Sequence, residues 1–273
     1  MKLKETLEKY NLKIKKSFGQ NFLINKGILE IIVKSAQIKK TNTIIEIGPG
    51  LGFLTEKLLE KAKNVICIEK DKTLIPVLKD KFLNNKKLKI INEDALKYKI
   101  REKKYKIVAN IPYYISSPLI KHFLNQKYKA EKIILLTQKE FAERVCDEKN
   151  LSILALEIKL FAETKILKTV SKNSFFPAPK VNSSILEIRP FQSDKYSKTD
   201  TKKALEIAKK TFIHKRKLFF KSLQKEYNFS NQDIQTIITK SEINEKIRPE
   251  KLKIKDLIEI SKIIESISPL VHL

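Results

Sequence analysis

The chain is poor in glycine, cysteine and histidine, and it has no long uncharged run. Two cysteines 79 positions apart and three scattered histidines form neither a disulfide framework nor a metal-binding pattern, so we expect no metal site. The longest stretch without a charged residue, 107–120, has 14 residues and two prolines, which is too short to span a bilayer. The first nine residues alternate in charge and contain no apolar signal region. These absences predict a reduced, soluble protein of the cytoplasm.

Acidic residues are outnumbered by basic ones, 31 to 57, which gives a formal net charge of +26 at pH 7. A surplus of this size favours a polyanionic partner such as nucleic acid. The surplus is spread along the chain, however: residues 191–273 carry 18 basic and 11 acidic side chains, a net +7, which leaves +19 for residues 1–190. Lysines number 52 and arginines five, a skew typical of A/T-rich genomes. The overall charge is therefore only weak support for nucleic-acid binding.

All five glycines precede residue 53, and three of them lie within 48–52, which is Gly-Pro-Gly-Leu-Gly. The apolar run before this turn, 43–47, predicts a buried strand, and a helical pattern begins near Leu51. Glycines at a strand-to-helix turn let the backbone approach a ligand closely. A dinucleotide fingerprint would need a third glycine where Phe53 stands, whereas the pattern from Glu46, E-x-G-x-G-x-G, is that of S-adenosylmethionine-dependent methyltransferases. The alternative is a plain tight turn.

Apolar runs that alternate with helical patterns continue as far as residue 190. The predicted strands are 43–47, 64–69, 88–92, 105–109 and 132–137. This alternation predicts an α/β fold with a parallel sheet and helices on both faces. Together with the glycine motif, it indicates a Rossmann-like methyltransferase sheet. The runs 165–170 and 183–188 flank a proline-marked turn, 177–179, and predict a hairpin at the edge of the sheet. The segment 151–161 is compatible with helix or strand, and we favour helix.

The chain changes character near residue 190. Residues 190–200 are polar and lack periodicity, which predicts a linker, and the apolar spacing beyond them is helical to the end. We therefore predict two domains. Residues 1–190 form a cofactor-binding catalytic domain with a basic arm at 1–16, and residues 191–273 form a small all-helical domain.

Several residues that could bind a cofactor fall at the carboxyl ends of predicted strands, where open α/β sheets bind their ligands. The glycine turn is the first. Glu69 follows Gly50 at the spacing at which a carboxylate accepts hydrogen bonds from both ribose hydroxyls, although a solvated acid is the alternative. Asp94, followed by Ala95, is placed to accept from the exocyclic amine of adenine, and Asn110 ends the next strand. Together these positions predict a site for S-adenosylmethionine.

The motif Asn110-Ile111-Pro112-Tyr113 is suited to methylation of an adenine amine. That amine is a poor nucleophile because its lone pair is delocalised into the ring. Two acceptors, the Asn110 side-chain oxygen and the Pro112 carbonyl, could bind both N–H groups and stabilise the positive charge that develops on nitrogen. Proline also removes an N–H, so its carbonyl is offered without a competing donor nearby. Tyr113 provides a ring face for a base that has left its stack. The alternative is a proline turn that closes a core strand.

Four motifs follow one another in the order found in ribosomal RNA adenine dimethyltransferases, and the chain resembles that family. They are Phe-Gly-Gln-Asn-Phe-Leu at 18–23, Glu-Ile-Gly-Pro-Gly-Leu-Gly at 46–52, Asn-Ile-Pro-Tyr at 110–113 and Phe-Phe-Pro-Ala-Pro-Lys-Val at 175–181. The resemblance is greatest to the KsgA (RsmA) branch, and it is strong over 16–190 and weak through the C-terminal helices. It implies that two adjacent adenosines, in a hairpin loop near the 3′ end of small-subunit rRNA, are each methylated twice within a pre-ribosomal particle.

The resemblance also implies roles that spacing alone does not assign. The residues it implies at the cofactor are Asn21, Leu23, Gly48, Gly50, Glu69, Asp94 and Asn110. It further implies that Phe175 stacks on the target adenine opposite Tyr113, although a packed core residue is the default for a single aromatic. The chain departs from the family at Tyr114, where asparagine is common, and at Ala178, where proline is common. Both departures bear on packing more than on chemistry.

A basic segment, residues 207–225, carries seven Lys or Arg and no acid. On a continuous helix its basic residues would gather within roughly 80° of one another, and its aromatic residues would lie opposite. The basic set is Lys210, His214, Lys217, Lys221 and Lys225, and the apolar set is Phe212, Phe219, Phe220 and Leu223. In an rRNA-modifying protein we predict that Lys210, Lys217, Lys221 and Lys225 contact phosphates, with a solvated face as the alternative. A second arm that orders on binding is predicted from Lys13, Lys15 and Lys16.

Two other functions stay open from the sequence. One is methylation of a large-subunit rRNA adenine, as in the related resistance enzymes, and the other is a non-catalytic RNA- or DNA-binding factor on the same fold. Phe18-Gly19, the glycine turn and Gln-Lys-Glu-Phe-Ala-Glu-Arg at 138–144 favour the small-subunit branch. The intact acceptor motif argues against a non-catalytic factor. We expect a monomer with no membrane partner.

Overall fold

The computed structural model describes residues 3–15, 19–214 and 216–267. The chain divides into two units. The first consists of residues 1–143 and 162–192, and the second of residues 144–161 and 193–273. Phe18 of the 18–23 motif and Lys16 of the predicted basic arm lie outside the described residues.

The secondary structure follows the alternation that the sequence predicts. The strands are β1 (Phe22–Leu23), β2 (Thr43–Ile47), β3 (Asn64–Glu69), β4 (Leu88–Asn92), β5 (Tyr105–Asn110), β6 (Lys132–Gln138), β7 (Ala162–Val170), β8 (Phe175–Phe176) and β9 (Ser183–Pro190). The helices are α1 (Leu3–Lys9), α2 (Lys26–Ser35), α3 (Phe53–Lys61), α4 (Ile75–Lys81), α5 (Ser116–Leu124), α6 (Lys139–Cys146), α7 (Ile153–Lys159), α8 (Lys198–Thr211), α9 (Phe219–Tyr227), α10 (Asn231–Ser241) and α11 (Ile254–Ile267). None of the described helices combines the length and apolarity that a membrane span requires.

Seven strands form one sheet in the order β4-β3-β2-β5-β6-β9-β7. The strands from β4 to β6 are parallel, whereas β9 is antiparallel to both β6 and β7. The chain builds β3 and β4 on one side of β2 and then crosses to place β5 on the other, so β2 and β5 border a topological switch point. Such a switch point is where open α/β sheets bind ligands. The predicted α/β fold and the edge hairpin formed by β7 and β9 are confirmed.

The centre of the sheet is covered by apolar side chains because strands buried on both faces need nearly continuous apolar runs. Ile44 of β2, Val108 of β5 and Ile134 of β6 are fully or almost fully buried. They belong to one core cluster with Ile32 of α2 and Leu58 of α3. This packing holds the strands rigidly, and it therefore fixes the positions of the loops that follow their carboxyl ends.

The amino-terminal segment is packed rather than extended. Its apolar side chains, in α1 and in the residues that follow it, pack against a small cluster formed by Phe22, Leu51, Leu74 and Val77. The packed residues are Leu3, Leu7, Tyr10, Leu12 and Ile14. Lys15 is bound to Asp71 at 2.7 Å. The described part of the basic arm predicted at 1–16 is therefore packed.

The second unit is a helical cluster around its own apolar core. The core includes Phe219, Leu223 and Ile260, and it also takes in Leu156 and Leu160 from α7 and the residue that follows it. The helix favoured for 151–161 is confirmed. The domain boundary expected at residue 190 differs from this grouping, because the apolar side chains of residues 144–161 are buried with the C-terminal helices.

The continuous helix predicted over 207–225 is wrong. Helix α8 ends at Thr211, and α9 begins only at Phe219. Leu218 is extended, with φ −66° and ψ 147°, and the Phe219 N–H donates to the carbonyl of Ile247 at 2.9 Å instead of continuing a helix. A tertiary hydrogen bond thus starts a second helix. The expected burial of Phe212, Phe219, Phe220 and Leu223 is nevertheless observed.

Candidate active site

A cavity lies at the carboxyl ends of β2, β3, β4 and β5, all within the first unit. Its volume, with the open mouth and its solvent included, is about 1080 Å³. The glycine turn, Glu69, Asp94 and the Asn110–Ile115 segment line it from the sheet side. Gly19–Leu23 also lines it. The cavity therefore combines the strand ends at which the sequence predicts a ligand.

The glycine turn forms one wall of this cavity. Gly48, Gly50 and Gly52 all have positive φ angles, between 59° and 75°, which L side chains rarely adopt. A Cβ at Gly50 would lie 3.1 Å from the ring of Phe22, so the ring can pack over this turn only because the side chain is absent. The Gly50 N–H donates to Glu69 Oε2 at 3.2 Å. The turn and the acid at the end of β3 are therefore held as one unit.

Glu69 is a buried acid whose carboxylate faces backbone donors. The residue is 6% exposed, and Oε1 accepts from the Asp71 N–H at 2.8 Å. Burial raises the pKa of Glu69, while the hydrogen bonds from the Asp71 and Gly50 N–H groups act in the opposite direction. Each carboxylate oxygen can accept more than one hydrogen bond, so both oxygens keep capacity for ligand hydroxyls.

Asp94 follows β4 and forms an ion pair with Lys70 at 2.8 Å. Its other oxygen accepts from the Leu96 N–H at 3.0 Å. The hydrogen bond from Lys70 lowers the pKa of Asp94, so this carboxylate is ionised at neutral pH. The next residue, Ala95, is buried and lines the cavity. The pair offers an ionised acceptor beside a small apolar surface.

A second buried acid, Glu46, borders the cavity, and the sequence patterns indicate no role for it beyond opening the glycine motif. It is 1% exposed and accepts a hydrogen bond from the Cys67 thiol at 3.3 Å. Burial raises the pKa of Glu46 to about 7, against opposing hydrogen bonds from Thr55 and Cys67. The clue in the sequence is an acid within an otherwise apolar buried strand.

Asn110 connects the acceptor motif to the Gly19–Leu23 segment. Its Nδ2 donates to the backbone carbonyl of Asn21 at 3.1 Å. This bond uses the amide nitrogen and fixes the plane of the group, so the amide oxygen is the part left to accept a hydrogen bond from a ligand. Asn21 and Leu23, which the family resemblance implies at the cofactor, both line the cavity.

The Pro112 carbonyl has a donor nearby, contrary to the expectation from the sequence. It accepts from the Ile115 N–H at 3.2 Å because residues 113–115 form a short 3-10 helix. One lone pair of this carbonyl remains. Tyr113 lines the cavity, and its hydroxyl lies 2.6 Å from Ser183 Oγ. Burial raises the pKa of Tyr113, so its hydroxyl stays neutral.

Phe175 lies in the core and not at the cavity wall. It is 3% exposed, pairs with Leu23 between the antiparallel strands β8 and β1, and belongs to the main core cluster. It is absent from the residues that line the cavity, whereas Tyr113 is among them. Stacking of Phe175 on a base therefore stays a prediction, and it requires that the ring be uncovered when the base enters.

The basic residues of the second unit lie in different surroundings from one another. Lys217, Lys221 and Lys225 are exposed. Lys210 instead pairs with Glu206 at 3.1 Å and lies over the Tyr227 ring at 4.3 Å. His214 Nε2 lies 2.8 Å from a carboxylate oxygen of Glu226. The predicted single stripe is thus replaced by three exposed lysines and two engaged residues.

No cluster of three or more His, Cys, Asp or Glu side chains able to hold a metal ion occurs in the described ranges 3–15, 19–214 and 216–267.

Comparisons with known proteins agree with this geometry. A family model described as ribosomal RNA adenine dimethylase matches residues 11–266. A ribosomal RNA small subunit methyltransferase A of Clostridium botulinum is 36% identical over 275 aligned positions, which cover 98% of this chain and all of the relative. The protein of the same name from Streptococcus thermophilus is 34% identical, with 94% of each chain covered. A crystal structure of a dimethyladenosine transferase from Plasmodium falciparum superposes with a TM-score of 0.76 at 29% identity, covering 90% of this chain and 98% of that one.

Proposed function

Because this chain belongs to the ribosomal RNA adenine dimethylase family, we propose that it methylates the N6 amines of two adjacent adenosines of small-subunit rRNA with S-adenosylmethionine. The adenosines lie in the hairpin loop near the 3′ end, within a pre-ribosomal particle, and each receives two methyl groups. A ribosomal substrate places this activity in the cytoplasm, and the enzyme acts as a monomer. The observation that carries the proposal is the hydrogen bond that fixes the Asn110 side chain at the cavity. The glycine turn and the acids Glu69 and Asp94 line the same cavity.

The cavity wall suits an adenosyl group. A buried carboxylate needs polar partners. Two backbone N–H groups donate to Glu69, and its carboxylate can accept further hydrogen bonds. The two hydroxyls of a ribose would supply the remaining donors. Asp94 can accept from the adenine amine, and Ala95 offers the ring a small apolar contact. When bound, S-adenosylmethionine supplies the electrophilic methyl group.

Asn110 and Pro112 prepare the target amine. The bond to the Asn21 carbonyl orients the Asn110 amide so that its oxygen accepts one N–H of the adenine amine. The Pro112 carbonyl accepts the other through its remaining lone pair. Two fixed acceptors localise the nitrogen lone pair and stabilise the positive charge that develops on nitrogen during transfer.

The target base must leave its stack before the amine can reach these acceptors, and an aromatic ring offsets part of the unstacking cost. Tyr113 is placed for this, because its ring borders the cavity while Ser183 holds its hydroxyl. Phe175 is paired with Leu23 in the core and contributes a second face only after local rearrangement.

Contacts to rRNA phosphates are assigned to the exposed lysines of the second unit, Lys217, Lys221 and Lys225. Lys210 is a weaker candidate because Glu206 and the Tyr227 ring already engage its ammonium group. These contacts bind the particle and take no part in methyl transfer.

The proposal is tested by mapping methylated adenosines after the protein acts on undermethylated ribosomal particles. Small-subunit and large-subunit particles are incubated separately with S-adenosylmethionine, and Asn110→Ala serves as the matched inactive control. We expect dimethylation of two adjacent adenosines near the 3′ end of small-subunit rRNA. Methylation confined to large-subunit rRNA would establish the resistance-type activity instead, and no methylation of either particle would support a non-catalytic binding factor.

A further inference from the structure

Asp71 joins two parts of the cavity wall that are far apart in sequence. It stands two residues beyond Glu69, after the end of β3, and is 2% exposed. Its Oδ1 accepts from Lys15 Nζ at 2.7 Å, and its Oδ2 accepts from Gln20 Nε2 at 2.9 Å. The Lys15 N–H in turn donates to Gln20 Oε1 at 2.8 Å. Lys15, Gln20 and Asp71 thus form a closed triangle of hydrogen bonds.

The triangle fixes a segment that lines the cavity. Gln20 belongs to Gly19–Leu23, which lines the cavity together with the strand ends. The next residue, Asn21, provides the carbonyl that accepts from Asn110 Nδ2. On the other side, the Asp71 N–H donates to Glu69 Oε1 at 2.8 Å. One residue therefore connects the acid proposed to bind the ribose with the segment that positions the proposed amine acceptor.

We propose that Lys15, Gln20 and Asp71 form a latch that holds Gly19–Leu23 closed over the cofactor, with Asp71 as the positioning residue. This inference rests on the proposed function, because it takes the cavity to be the cofactor site. The latch acts through Glu69 and Asn110 and need not touch the cofactor itself.

The charges explain why the latch is stable in the closed state. A buried carboxylate is costly unless it is paired and hydrogen-bonded. Burial alone would raise the pKa of Asp71, but hydrogen bonds from Lys15 and from Thr73 outweigh it and hold that pKa below its usual range. Thr73 contributes both its N–H, at 3.0 Å, and its hydroxyl, at 2.7 Å. Loss of Lys15 would remove the charge partner while leaving the two Thr73 bonds, so the fold should survive.

The amino-terminal segment that contains Lys15 makes a second ion pair, and this pair provides a matched control. Lys9 pairs with Asp80 at 2.8 Å, but both side chains are about half exposed. Exposed pairs contribute little, and neither residue lines the cavity. A change at Lys9 therefore removes an amino-terminal lysine and its ion pair without touching the latch.

The test compares Lys15→Gln with Lys9→Gln in two assays on the full chain. The first is calorimetric titration with S-adenosylmethionine. The second is hydrogen–deuterium exchange of residues 19–23 in the protein without added cofactor. For Lys15→Gln we expect roughly fivefold to fiftyfold weaker binding, a usual size for coupling between two sites, and faster exchange across 19–23. Lys9→Gln should match the wild type in both assays.

Three further variants, Lys15→Arg, Asp71→Asn and the combination of Lys15→Gln with Asp71→Asn, separate a latch from a general structural effect. Lys15→Arg keeps the charge and should restore both binding and slow exchange. Combining Lys15→Gln with Asp71→Asn should weaken binding no more than the stronger single change, since both break one interaction. Unchanged binding and exchange in Lys15→Gln would overturn the latch, as would additive losses in the double variant. If the wild type itself binds no S-adenosylmethionine, the proposed function fails and the latch fails with it.

Discussion

The charged residues to which we assign roles lie in opposite surroundings in the two units. In the first, Glu69 at the cavity and Asp71 two residues beyond it are buried and are held by backbone N–H groups or by a paired lysine. In the second, Lys217, Lys221 and Lys225 are exposed on a surface. Buried, fixed groups can discriminate one ligand geometry from another, whereas exposed lysines adapt to any nearby phosphate. Our proposal therefore assigns the specificity of the chemistry to the first unit and phosphate contact to these lysines of the second.

The sharpest test of this division is Asn110→Ala. Removing one preorganised polar group at a transition state costs roughly 2.7–4 kcal/mol, so kcat should fall by about 100-fold to 1,000-fold. Particle affinity should not change, because the second unit is intact. Single-turnover methylation and particle-binding assays on the same variant give both numbers. Turnover close to that of the wild type would remove the acceptor mechanism.

Glu69→Ala should act mainly on the cofactor. A carboxylate that binds two hydroxyls does so before and during transfer, so the loss should appear as about tenfold to hundredfold weaker S-adenosylmethionine binding. Calorimetry measures it directly. If cofactor affinity were the same as in the wild type, Glu69 would be no more than an acid that caps the glycine turn.

Burial of Glu46 should make stability depend on pH. Its pKa in the folded protein, about 7, lies above the ordinary value of 4.5 because burial disfavours the charged form. The folded state then binds the proton more tightly, so stability should fall by up to roughly 3 kcal/mol as pH rises from about 4.5 to about 7 and level off above that. Glu69, whose pKa is also raised by burial, acts in the same direction.

Urea unfolding of the wild type and of Glu46→Gln at pH 5 and pH 8 measures this effect. Glutamine keeps an oxygen that can accept from Cys67 and Thr55 but does not titrate in this range. The difference in stability between the two pH values should therefore be smaller in the variant. An equal pH dependence in both proteins would show that Glu46 does not titrate in this window.

The smallest expected effect comes from the second unit. Lys221 and Lys225 lie one helical turn apart on α9 and are exposed. Changing both to Ala should weaken particle binding and make the slope of log affinity against log salt shallower by about 0.7–0.9 per lost contact. Stability should stay within about 0.5 kcal/mol of the wild type. Lys240→Ala with Lys255→Ala, two exposed lysines on other helices of this unit, is the matched control. Equal salt slopes for the two double variants would mean that α9 carries only a solvated face.

The sequence predicts the cavity better than it predicts the basic surface, and the reason is physical. Glu69 and Asn110 each end a strand, and strand ends in a parallel sheet meet at one edge, so short-range patterns are enough to place them. The basic segment required one helix to continue from 207 to 225, yet the Phe219 N–H pairs with Ile247, a contact that no local pattern shows. Asp71 was missed for a similar reason, since its partners Lys15 and Gln20 are 56 and 51 residues away.

The surroundings of the Pro112 carbonyl and of Phe175 also differ from the sequence-based prediction, because they depend on local backbone geometry. The Ile115 N–H reaches the Pro112 carbonyl because a 3-10 turn follows the motif, and proline alone did not indicate that turn. Phe175 occupies the core because β8 pairs with the short strand β1. A motif identifies such residues without showing whether they are exposed.

Whether the cavity of the first unit holds the methyl donor is tested most directly by a crystal structure with S-adenosylhomocysteine. We predict that both ribose hydroxyls lie within hydrogen-bond distance of the Glu69 carboxylate and that the adenine amine lies at Asp94. The Gly19–Leu23 segment should cover the ligand with Asn110 still bound to the Asn21 carbonyl. A ligand bound outside this cavity, or a ribose directed away from Glu69, would contradict the assignment.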